Sequence, residues 1–146
     1  MIVDTSALLA ILFQEDDASQ YAQAIAAAHT CRMSAANFLE AAIIVDHRGD
    51  PVAGRQLDTF IERAQIDIEP VTFAQARMAR QAYLDYGKGR HPAALNFGDV
   101  FAYALSKITG EPLLFKGQDF SQTDIAAVPL GSEQGESEPT EQSGEW

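Results

Sequence analysis

Short apolar runs, each closed by a polar cap and followed at once by a helical stretch, recur along this chain. That alternation constrains the fold more than any other feature. Met1-Ile2-Val3 ends on Asp4, Thr5 and Ser6 and reads as a buried strand feeding a helix over 6–13, capped by Thr5 or Ser6. Residues 16–28 are Ala-rich and helical, with Asp16 and Asp17 at the favourable end of the dipole. Residues 30–33 fit a second strand. Ser34 caps a helix to about 48 that Gly49 stops, and Asp50-Pro51 opens another to about 64. A strand over 66–71 and a helix from the box Thr72-Phe73-Ala74-Gln75 to about 86 come next. The pattern finishes with a helix over 96–109 stopped by Gly110, a strand over 113–115 and a last strand over 125–128. Strands alternating with helices predict an α/β fold, with a mostly parallel sheet covered by helices on both faces.

Composition narrows the function. At 146 residues and 47% hydrophobic, the chain can bury roughly 70% of its unfolded surface without a disulfide or structural metal. Cys31 is the only cysteine, which excludes a disulfide scaffold and a multi-cysteine zinc site, and it reads as a buried thiol. His29, His47 and His91 are scattered with no cysteine pair nearby. The longest apolar run, 7–13, is far too short for a membrane span, and the start lacks the basic stretch of a secretory signal. A cytoplasmic protein with no membrane partner is expected. The net charge of −11 rules out coating nucleic acid by bulk electrostatics. Five acids and no bases fall between Ser132 and Trp146, which divides the chain into a domain over 1–131 and an acidic tail over 132–146, expected to be disordered. Without the tail the charge is −6.

Three acids stand where chemistry could occur. Asp4 follows the first strand, and open α/β sheets bind ligands beyond the carboxyl ends of their strands; it also suits a helix cap. Glu40 interrupts an apolar helical stretch, either as a partly buried carboxylate that needs a cation or hydrogen bonds or as the edge of the apolar stripe. Asp99 lies in the first turn of an apolar helix, three residues from Asn96 and on its face, where it also offsets the helix dipole. Carboxylates that converge repel unless a cation joins them, and oxygen-only ligands select Mg²⁺ or Mn²⁺. Spacing alone makes these candidates only. Neither GxGxxG nor GxxxxGK[ST] occurs.

Met1-Ile2-Val3-Asp4-Thr5-Ser6-Ala7-Leu8, the Ser34-to-Glu40 helix start, Asn96-Phe97-Gly98-Asp99 and Leu113-Leu114-Phe115-Lys116-Gly117-Gln118-Asp119-Phe120 occur in one order. Together they resemble the PIN-domain ribonucleases, specifically the VapC toxins of type II toxin–antitoxin pairs, over about 1–130. The resemblance implies a PIN-like three-layer α/β/α fold around Mg²⁺ or Mn²⁺. By motif match Asp4 and Asp99 would be direct ligands, and Glu40 would complete the site directly or through a water. Asn96 would be an accessory polar group, and Thr5 or Ser6 a supporting hydroxyl. The implied reaction hydrolyses an RNA phosphodiester to a 3′-hydroxyl and a 5′-phosphate. The implied partners are a VapB-like antitoxin and a second copy in a homodimer.

One departure stands out. The family often places a fourth acid where this chain has Gly117; Asp119 either substitutes or anchors its loop. Lys88, Arg90 and Lys116, with Arg77, Arg80 and His91 near the first two, would make a modest RNA surface or a solvated basic face. Two other functions compete with a nuclease. An inactive PIN-like module that only binds RNA or antitoxin is kept open by Gly117 and opposed by Asp4, Glu40 and Asp99. A phosphatase with an aspartyl nucleophile at Asp4 would need a second Asp two residues on, where Ser6 stands.

Overall fold

The computed structural model describes residues 1–131, so the expected acidic tail lies outside the described residues. In chain order the elements are β1 (Ile2–Val3), α1 (Thr5–Leu12), α2 (Ala18–Ala27), β2 (Cys31–Ser34), α3 (Ala35–His47) and α4 (Pro51–Arg63). β3 (Ile66–Glu69), α5 (Phe73–Tyr86), α6 (Phe97–Thr109) and β4 (Leu113–Leu114) follow, with a 3₁₀ turn at Phe120–Gln122. The strands form one sheet in the order β3-β2-β1-β4, every pair parallel.

Alternation along β1 and β4 builds the two covering layers. Val3 and Leu114 point to one face and pack with Leu8, Tyr21, Met33, Ala41 and Leu57 from α1 to α4 and β2. Ile2 and Leu113 point to the other and pack with Ala79, Val100, Leu105 and Phe120. Both β1 residues have no exposed surface, which is why so short a strand is wholly apolar. The result is a three-layer α/β/α domain. Among the described residues no helix is long and apolar enough to cross a membrane.

Most helix starts fall where their caps predict, because capping is a local interaction. Ser34, Asp50, Thr72 and Asn96 each accept a hydrogen bond from a backbone N–H of the first turn. Four expectations shift. Helix α1 is capped by Asp4, not by Thr5 or Ser6. Helix α2 begins at Ala18, and Asp17 sits at its cap without a side-chain bond because its carboxylate is engaged elsewhere. At Thr72 only half of the expected box forms, with Thr72 Oγ1 accepting from Gln75 N. The strand over 125–128 reduces to a single bridge between Ala127 and Leu113, since the sheet edge it meets is only two residues long.

The chain runs from β1 outward through β2 and β3, then returns to add β4 on the other side of β1. The carboxyl ends of β1 and β4 therefore flank the point where strand order reverses, the place where such sheets accept ligands.

Candidate active site

Asp4 is the first residue past β1 and is held by three hydrogen bonds with two neighbours. Its backbone N–H donates to Leu114 O at 2.9 Å, tying it to the end of β4. Its Oδ2 accepts from Ser6 N at 3.0 Å and from Ser6 Oγ at 2.6 Å. Ser6 Oγ in turn accepts from Lys116 N at 2.9 Å, so the loop after β4 hangs on the turn that carries Asp4. Asp4 is almost fully buried, and burial foremost pushes its carboxyl up to about 6, with the Glu40 charge adding to the rise and Ser6 opposing it.

Asp99 reaches the same place from the first turn of α6. A reciprocal capping box fixes it: Asp99 N donates to Asn96 Oδ1 at 2.9 Å and Asn96 N donates to Asp99 Oδ2 at 3.0 Å. Desolvation raises its carboxyl to about 7, and the charges of Asp4, Asp119 and Glu40 all push the same way. Glu40, half-buried on α3, lies with its carboxylate against Gly98, the neighbour of Asp99. The charges of Asp4, Glu40 and Asp119, from three other segments, thus all act on Asp99, and Glu40 acts on Asp4 as well.

The remaining expected residues divide. Thr5 turns away from the acids, its hydroxyl donating to Asn37 O at 3.1 Å, so Ser6 is the supporting hydroxyl. The ammonium of Lys116 pairs with Glu15 and with Asp17 and is spent there. Lys88 and Arg90 are exposed on the loop between α5 and α6. Gly117 adopts a φ of +104°, which favours glycine, so the backbone turns where an acid might otherwise stand. Asp119, two residues on, is exposed and caps the 3₁₀ turn without a side-chain bond. Cys31 is buried and free, as expected for a thiol in a short strand.

Asn37 was not foreseen as a site residue. It is fully buried and its Nδ2 donates to Gly98 O at 2.9 Å. Its only sequence signal is a polar residue inside an apolar helical stretch, three before Glu40.

The donor set suits a hard divalent cation. It is all oxygen, and among the described residues the Oδ1 atoms of Asp4 and Asp99 accept no hydrogen bond. Each of the two spends Oδ2 on fixing itself and leaves Oδ1 without a hydrogen bond. Buried like charges with raised carboxyls are the state a cation relieves. Among the described residues no three His, Cys, Asp or Glu side chains form a group that could by itself hold a metal ion.

Comparison with known proteins bears on the family and the fold. A family model described as PIN domain matches residues 1–126. Ribonuclease VapC28 of Mycobacterium tuberculosis is 56% identical over 126 residues, covering 86% of this chain and 95% of its own. The crystal structure of VapC20 of the same organism, described as a toxin cleaving the sarcin-ricin loop, superposes with a TM-score of 0.71 at 18% identity over 87% of this chain and 97% of that one. A toxin–antitoxin complex from Klebsiella pneumoniae gives a TM-score of 0.64 at 16% identity, covering 87% and 95%. The two solved structures bear on the fold.

Proposed function

The chain belongs to the PIN-domain family and is a VapC-type endoribonuclease toxin; from that premise we propose that its four acids bind Mg²⁺ or Mn²⁺ and cleave RNA there. The observation that carries this reading is that Asp4 and Asp99 have raised carboxyls, Glu40 acting on both and Asp4 and Asp119 acting on Asp99. Asp4 and Asp99 would hold the ion through Oδ1. Glu40 and Asp119 would complete its surroundings, Asp119 in place of the acid absent at Gly117. A bound divalent ion would acidify a water and offset charge on the phosphate in transit.

The chain's own part is to fix these groups before substrate arrives. Ser6 holds Asp4 and also the start of the loop after β4, tying the two segments together. The Asn96 box locks Asp99. Glu40, its carboxylate against Gly98, would complete the site directly or through a water. The product ends would be a 3′-hydroxyl and a 5′-phosphate. Lys88 and Arg90 would take RNA phosphates, while Lys116 acts by holding the turn between α1 and α2. The partner is an antitoxin, of the VapB-like kind, and the reaction would run in the cytoplasm. An apolar face on α3 and α6, including Leu39, Ile43 and Phe97, would pair two copies in a homodimer.

The test is cleavage of end-labelled total tRNA and rRNA by antitoxin-free protein, with Mg²⁺, with Mn²⁺ and with EDTA, beside Asp99→Asn. Discrete products that need metal and fall by at least about 100-fold in the variant are expected. Folded protein that binds RNA without cutting it under any metal would leave the binding module, with Gly117 as the cause.

A further inference from the structure

Two uncharged residues stand where they decide the position of the Glu40 carboxylate. Gly98 precedes Asp99 in α6 and faces α3. A Cβ added to it would lie 2.0 Å from Glu40 Oε2, 2.7 Å from its Cδ and 2.8 Å from Oε1. The carboxylate therefore occupies the volume any side chain at 98 would fill. Nothing in the backbone asks for glycine there, because Gly98 is helical with an ordinary φ, and alanine is the better helix former.

Asn37 sits one turn before Glu40. Its Nδ2 donates to Gly98 O at 2.9 Å, and its own carbonyl accepts from Thr5 Oγ1 at 3.1 Å. Its Oδ1 is buried and, among the described residues, has no hydrogen-bond partner. A half-satisfied buried amide is unfavourable, and an apolar side chain of the same size would avoid that cost. What asparagine supplies that such a side chain does not is the donor that docks α6 on α3 at Gly98.

We propose that Gly98 and Asn37 are positioning residues: Asn37 docks the first turn of α6 on α3, and the missing side chain at 98 opens the slot that holds the Glu40 carboxylate beside Asp99. This rests on the reading of Glu40 as part of the metal site. Neither residue touches the substrate or the ion; both act through Glu40.

The experiment measures the rise in Tm that Mn²⁺ produces, together with the Mn²⁺ concentration for half-maximal RNA cleavage, in full-length protein. Gly98→Ala meets only the end of a flexible side chain, so its metal-free Tm is expected to be no lower than the parent's. Its half-maximal Mn²⁺ concentration should rise roughly 10- to 100-fold, the usual range when a ligand loses its orienting partner. Asn37→Leu should move the same way. In a Glu40→Gln background neither change should cost anything more, because the group they position is already gone. A parental Mn²⁺ response in Gly98→Ala, or a loss that adds in full to that of Glu40→Gln, overturns the proposal and leaves the metal site standing. A parental response in Asn37→Leu removes Asn37 from it. An unchanged response in Glu40→Gln overturns the reading of Glu40, and the proposal with it.

Discussion

At the scale of single residues, Asp4 does two jobs that pull against each other. It caps α1, which any short acceptor could do, and it keeps a carboxylate where water is excluded, which costs stability when no cation is present. The sign follows from its raised carboxyl. Below about pH 4 the group is protonated in both states and its contribution is whole; as pH rises through about 6 the folded protein must carry a buried charge, and that contribution is lost. Asp4→Asn keeps an acceptor for Ser6 N and removes the charge. Metal-free Asp4→Asn should melt on the order of 5 °C above the parent at pH 8, with the gap closing toward pH 4, while RNA cleavage disappears. Thermal melts at both pH values check this, and a gap that grows on acidification would refute it. Asp4 was legible because a lone acid between an apolar strand and a helix is a local pattern. Asn37 was not, because its partner Gly98 is 61 residues away and the reason for Asn is a contact. The ion pairs of Lys116 were hidden in the same way, its partners Glu15 and Asp17 being 101 and 99 residues distant.

Among the elements, boundaries set by caps could be read from sequence and those set by pairing could not. The Ser34, Asp50 and Asn96 caps depend on neighbours in the chain. The strand expected at 125–128 depended on how much edge β4 would offer, and two residues hold only one bridge. Helix α3 shows a further limit: its sequence is apolar on more sides than its packing uses. Leu39 and Ile43 are 57% and 58% exposed one turn apart, and Phe97 on α6 is 78% exposed beside them. A continuous apolar surface on a soluble domain marks a contact. If two copies pair through this face as proposed, Ile43→Glu should halve the mass seen by sedimentation or light scattering, with helix content unchanged. A dimer that survives the change excludes this face.

Across the whole molecule, charge and activity are in tension. A chain of net charge −11 repels RNA at long range, so any affinity must come from a local patch or a bound ion. Lys88 and Arg90 are exposed on the loop that runs into the Asn96 cap, close in sequence to Asp99. Replacing both by alanine should weaken binding to all RNA sequences alike and flatten the plot of log affinity against log salt by roughly 1–2 units. An unchanged slope would remove this loop from the RNA surface. The layered fold itself was legible, since alternating short strands and helices admit few other solutions. The strand order was not, because it depends on which side of β1 the last strand joins.

That order has a consequence for manufacture. A ribosome delivers β1 first and β4 last, yet Asp4 takes its backbone anchor from Leu114 and its serine clasp from a turn that Lys116 must complete. Until Lys116 has left the exit tunnel, one side of the first strand is bare and Asp4 lacks the anchor that β4 gives it.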